Sequence, residues 1–119
     1  MDNLFFITCG GRTIHPAEWL GQPILADVLK ELVEEFDIVL VDAPPVLPVP
    51  DSVILASVVK HTIIVYQVGV TGRESVRRAI ASLQNAGSVI VGMVLNGVRA
   101  SWTSSPEFFQ YRRYYGKHE

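Results

Sequence analysis

Phe36–Asp51 reads FDIVLVDAPPVLPVPD, and the fold turns on its first half. Ile38, Val39, Leu40 and Val41 form an uninterrupted apolar run that ends at Asp42, and Ala43-Pro44-Pro45 then stops the chain from continuing as strand or helix. A short apolar run bounded by breakers fits a strand buried on both faces, the kind found in parallel sheets. Asp42 then sits at the carboxyl end of that strand, where open α/β sheets place their ligands. A carboxylate held there can face Mg²⁺, directly or through its water shell, beside a nucleotide's phosphates, as a Walker B aspartate does. The residue also has a plainer use, because many such strands end in an Asp that only bonds the following turn.

The flanking segments agree with a layered sheet. Upstream, Leu25, Val28, Leu29, Leu32, Val33 and Phe36 recur every three or four residues while Lys30, Glu31, Glu34 and Glu35 fall elsewhere, which predicts an amphipathic helix. Before it, Leu4–Thr8 (LFFIT) reads as a strand closed by Gly10 and Gly11, and Pro16–Leu20 reads as one helical turn with proline at its start. Downstream, Pro48 and Pro50 keep the chain extended, and Asp51 or Ser52 can cap a helix through about Lys60. Thr62–Gln67 is a further strand, Thr71 and Glu74 have capping-box spacing for a helix to about Ala86, and Val89–Leu95 is a last strand ending in Asn96-Gly97.

Strands alternating with helices predict an α/β fold: a parallel sheet with helices on both faces and the strand ends Asp42, Gln67 and Asn96 along one edge. From Gly97 the alternation stops, so residues 1–105 are expected to form the α/β unit and residues 106–119 a tyrosine-rich tail.

Composition narrows the function. The chain has 119 residues, 49% hydrophobic and 18% charged, with a formal charge of −2; it is globular and carries no basic field for nucleic acid. Cys9 is the single cysteine and has no partner for a disulfide or at metal-ligand spacing, which points to a reducing cytoplasm. No apolar run reaches the length of a membrane span. Work at the inner face of a membrane would therefore need recruitment by a partner.

These segments, in this order, resemble the C-terminal half of the cytoplasmic kinase domain of the bacterial tyrosine kinases, autokinases of capsule and exopolysaccharide synthesis. Gly10-Gly11 followed by His15-Pro16-Ala17-Glu18-Trp19-Leu20 resembles the family's glycine turn and its Asn-Pro-Ala-Glu-Leu-Leu segment. FDIVLVDAPPVLPVPD resembles its Walker B strand, with Ala43 where Thr is usual. The segment Val70-Thr71-Gly72-Arg73-Glu74, the Met93-Val94-Leu95-Asn96 strand end and the terminal tyrosines complete the match. The septum-site and partitioning ATPases share the strand aspartate and the Val-Leu-Asn end, but do not usually close on clustered tyrosines.

The resemblance implies a partial P-loop fold and the use of ATP and Mg²⁺. It implies that Asp42 is the Walker B carboxylate beside the metal. It implies that Asn96 faces the adenine, although Asn before Gly97 is also an ordinary turn former. Tyr111, Tyr114 and Tyr115 would be phosphoacceptors offered to a neighbouring subunit, whereas Phe108, Tyr111 and Tyr115 at helical spacing could instead cover an apolar surface. A membrane activator or chain-length regulator and a tyrosine phosphatase are the partners it implies.

No Gly-x-x-x-x-Gly-Lys-Ser/Thr occurs within residues 1–119, nor does the family's second aspartate motif, so the cradle for the β- and γ-phosphates is absent from them. In this class of fold the strand leading into that loop lies beside the Walker B strand. Without it an apolar edge is exposed, and a homo-oligomer formed by strand pairing or exchange, or a rearranged sheet, is expected to cover it.

Overall fold

The apolar periodicities resolve into four helices and two strands among the residues that the computed structural model describes, 3–8, 10–11 and 13–98. In chain order these are α1 (Pro16–Leu20), α2 (Pro23–Glu35), α3 (Asp51–Val59), β1 (His61–Gln67), α4 (Arg73–Asn85) and β2 (Val89–Asn96). β1 and β2 are parallel, joined through α4, with His61 opposite Val89 and Gln67 opposite Asn96. The expected parallel α/β arrangement is therefore present, and its carboxyl edge carries Gln67 and Asn96 side by side.

The pairing is pinned at its start. Lys60 takes a left-handed φ of 65° between α3 and β1, and its carbonyl accepts the Val89 N–H at 2.6 Å and the Ser88 hydroxyl at 3.1 Å. Ser88 also shares a hydrogen bond with Thr62 Oγ1 at 2.7 Å, so its burial leaves no polar atom unpaired. One irregularity follows, between Thr62 and Ile63, where β2 carries the extra residue Val91.

The core is small. Leu55 and Ala56 of α3 and Leu83 of α4 are its buried apolar residues among those described, and the two helices pack on each other and on the strand pair. β1 alternates accordingly: Thr62, Ile64 and Tyr66 are half-buried, while Ile63 and Val65 remain 53% and 65% exposed. α2 buries its stripe only in part, with Leu25, Leu29 and Leu32 half-covered and Val28 and Val33 open.

The sequence-based expectation departs from the structure at two apolar runs. Leu4–Thr8 and Ile38–Val41 carry no regular secondary structure, and neither is part of the sheet. Ile38 and Leu40 are 78% and 84% exposed, and residues 37–45 make no backbone–backbone hydrogen bond to another described segment. Strand propensity describes a residue's fit to a pleated, half-buried surface, and neither run has a neighbouring strand to supply that surface. The first run instead meets the end of α2, where Phe5 and Phe36 hold tilted rings 5.2 Å apart.

The helix starts also differ from the expected caps. α3 begins after Pro50 and α4 after Gly72, neither with a side-chain cap. Ser52 bonds the Pro44 carbonyl instead, and the Thr71 carbonyl accepts the Tyr66 hydroxyl at 2.9 Å. No described helix is long and apolar enough to cross a membrane.

Candidate functional site

The geometry of the site begins with how Asp42 is held. Its side chain is exposed, at the end of the apolar run and just before the proline turn. The buried Ser52 hydroxyl, from the first turn of α3, donates to the Pro44 carbonyl and so ties that turn to the rigid α3–α4 layer. Ser52, read from sequence as a possible cap, is thus a positioning residue for the turn two residues beyond the carboxylate. A buried small hydroxyl residue in a turn-to-helix junction was the available signal, and it fits a cap equally well.

Asn96 is the last residue of β2. Its carbonyl accepts the Val68 N–H at 2.9 Å, and its exposed side chain stands opposite Gln67. Gly97 follows with φ +76°, the conformation expected for an Asn-Gly turn. The structure thus brings Gln67 and Asn96 to one edge. Asp42 does not join them as a third strand end, because its segment is unpaired. Tyr111, Tyr114 and Tyr115, the tail that holds them and the boundary at residue 105 lie outside the described residues.

The donor set suits part of a magnesium nucleotide. Mg²⁺ keeps most of its waters and commonly takes one or two carboxylates together with phosphate oxygens, a demand that exposed Asp42 can meet. The described residues hold no cluster of three or more carboxylate, histidine or cysteine side chains for a metal held by protein alone. No lysine-bearing glycine loop is present to grip the phosphates. Asp42 could thus meet a metal contact, and residues 1–119 offer no glycine-lysine loop for the phosphate chain. The cations of α4 are solvent-facing: Arg77 lies 3.8 Å from Glu74 on the exposed side of the helix, a pair worth little in water. An open cleft of about 510 Å³, lined by Asn3, Phe5, Glu35, Phe36, Asp37 and Ile38, lies at the opposite end of the apolar run from Asp42.

Comparison with known proteins bears on this geometry. No family model matches the chain. CapB of Staphylococcus aureus, named as a tyrosine-protein kinase, is 29% identical over 98% of this chain and 49% of its own length. The tyrosine-protein kinase YwqD of Bacillus subtilis is 30% identical over 83% of this chain and 42% of its own. The crystal structure of the VpsO kinase domain superposes with a TM-score of 0.72 at 31% identity, covering 78% of this chain and 46% of that one. The chain thus spans about half the length of CapB, YwqD and the VpsO domain. Over most of its length, in both sequence and fold, the chain is similar to bacterial tyrosine-protein kinases.

Proposed function

We propose that residues 1–119 are the Walker B portion of an ATP-dependent protein-tyrosine autokinase serving capsule or exopolysaccharide synthesis, and that they are inactive by themselves. The observation that carries this reading is the exposed carboxylate of Asp42, at the mouth of a turn anchored by Ser52, in a chain homologous to tyrosine kinases. In this reading Asp42 holds a water or an open position of Mg²⁺, and Asn96 bonds the edge of the base. Tyr111, Tyr114 and Tyr115 accept phosphate as substrates of a neighbouring active site in a homo-oligomer. Each phosphate would add about −1.5 to −2 charges to a tail bearing Arg112, Arg113 and Lys117, reversing its local sign. A membrane activator and a tyrosine phosphatase would set the balance of that modification.

Phosphoryl transfer is chiefly positioning and charge neutralisation, so a portion without the phosphate cradle has little to offer it. The absence of that cradle from residues 1–119 also favours a second reading, a non-catalytic module on the same fold whose tyrosines serve only as substrate. Purified protein given ATP and Mg²⁺ is expected to show no phosphotyrosine by mass spectrometry. Its appearance would overturn the inactivity. With an active kinase of the family added, labelling on the tail should vanish when Tyr111, Tyr114 and Tyr115 are changed to Phe, and unchanged labelling would remove them as acceptors.

A further inference from the structure

One face of the β1–β2 pair is open, because α3 and α4 pack against the other. Side chains alternate along a strand, and Thr62, Ile64 and Tyr66 take the helix side, so Ile63, Val65 and Gln67 point away from it. The register puts Gly92, Val94 and Asn96 beside them on that same face. Ile63, Val65 and Val94 are each half exposed or more, and nothing lies within 4 Å of the Cβ that Gly92 lacks, so the three aliphatic side chains border a hollow. The chain also leaves β2 on this side. Gly97 has φ +76°, and its Cβ position is 3.9 Å from Gln67 Cγ. Residues 99–119, which come next, hold more than half of the chain's aromatic side chains.

We propose that residues 106–115, PEFFQYRRYY, fold back as a helix onto the open face of their own β1–β2 pair and seat Phe108, Tyr111 and Tyr115 on Ile63, Val65 and Val94 around the hollow at Gly92. Phe108, Tyr111 and Tyr115 recur at i, i+3 and i+7 with Gln110 and Arg113 on the opposite side, the pattern of a helix with one apolar face. Residues 99–105 can span about 23 Å, roughly the length of β1, so the segment reaches any point on the face. A second copy of the chain fits less well. Three aliphatic side chains fall well short of the about 800 Å² per partner that a stable dimer buries, whereas a tethered segment acts at an effective concentration on the order of 1 mM. The docked segment withholds Tyr111 and Tyr115 from a kinase acting in trans. Phosphate on either would set about −1.5 to −2 charges against aliphatic side chains, so docking and modification exclude each other. That consequence rests on the phosphoacceptor reading above; the docking itself does not.

Methyl NMR of the full chain tests the seat. The Ile63, Val65 and Val94 methyl resonances should lie upfield, shifted by the aromatic rings above them, and to the same extent at every protein concentration. In a chain carrying Phe108→Ser, Tyr111→Ser and Tyr115→Ser together they should return to ordinary positions, while the Leu55 and Leu83 methyls of the core stay where they are. Methyls that ignore the triple substitution would overturn the proposal, and so would shifts that grow with concentration, since a second copy would then be the occupant. Gly92→Lys tests the consequence, because its Cβ has open space and its ammonium lands in the seat. With an active bacterial tyrosine kinase added, labelling of Tyr111 and Tyr115 should start at least about threefold faster in Gly92→Lys than in the unaltered chain. Equal labelling rates would overturn the withholding. Upfield methyls with no labelling of either chain would uphold the docking and count against the tyrosines as acceptors.

Discussion

Leu83→Ala probes whether so small a core holds this chain together. Leu83, on α4, is 1% exposed and is the largest side chain fully buried among the described residues. Burying a leucine contributes about 1.5–3 kcal/mol, and removing it also leaves a cavity, so Leu→Ala substitutions cost about 2–5 kcal/mol. The lower half of that range applies, because the surrounding layer is thin and its half-exposed neighbours Val76 and Ile80 can settle into the space. A loss of about 3 kcal/mol is expected. At a urea m-value of about 1.5–2 kcal/mol/M, that lowers the unfolding midpoint by about 1.5–2 M. Val70→Ala is the control: Val70 is exposed, and its loss should stay within about 0.5 kcal/mol. Urea titrations followed by circular dichroism measure both. A Leu83→Ala shift below about 0.5 M with unchanged m would refute the assignment of the α3–α4 layer as the stabilising core.

Three further substitutions test the local devices. Ser88→Ala strips Thr62 of its hydroxyl partner and Lys60 of one of two donors, and should cost about 1–2 kcal/mol in the same titration. Gly87→Ala has open space for its Cβ but must adopt φ +83°, so a loss of about 1–2 kcal/mol is expected from backbone strain alone; an unchanged midpoint would mean the turn can relax. Ser52→Ala frees the turn after Asp42, and limited proteolysis should then cut within residues 43–50 several-fold faster while β1 and β2 stay intact.

Much of the fold was legible because its signals are local. The i, i+3, i+4 stripe from Leu25 to Phe36 places α2 within two residues of its observed bounds, and Gly87 follows α4 where a left-handed residue is required. β1 and β2 were readable for a different reason: the α4 crossover brings two apolar runs together within one short stretch of chain. The runs at Leu4–Thr8 and Ile38–Val41 carry equally good strand signals, yet remain unpaired, because a strand's existence depends on a neighbour that no window of sequence contains. Candidate site residues divide the same way. Asn96 could be placed from its own strand end, whereas Asp42 could be placed on its turn but not in the sheet. The capping-box reading of Thr71 and Glu74 failed because the helix is entered one residue later, from Gly72, which leaves Thr71 outside the cap position with its carbonyl bonded by Tyr66.

The Lys60 carbonyl, bonded by both Ser88 and Val89, has a consequence for how errors spread through this molecule. It clamps the first rung of the two-strand ladder to a point 28 residues away in sequence, so sliding one strand along the other requires both bonds to break together. Misalignment is thereby checked where the ladder starts, and Gln67 and Asn96 arrive opposite each other at its far end even while Ile63, Val65, Val94 and Leu95 beside them wait uncovered.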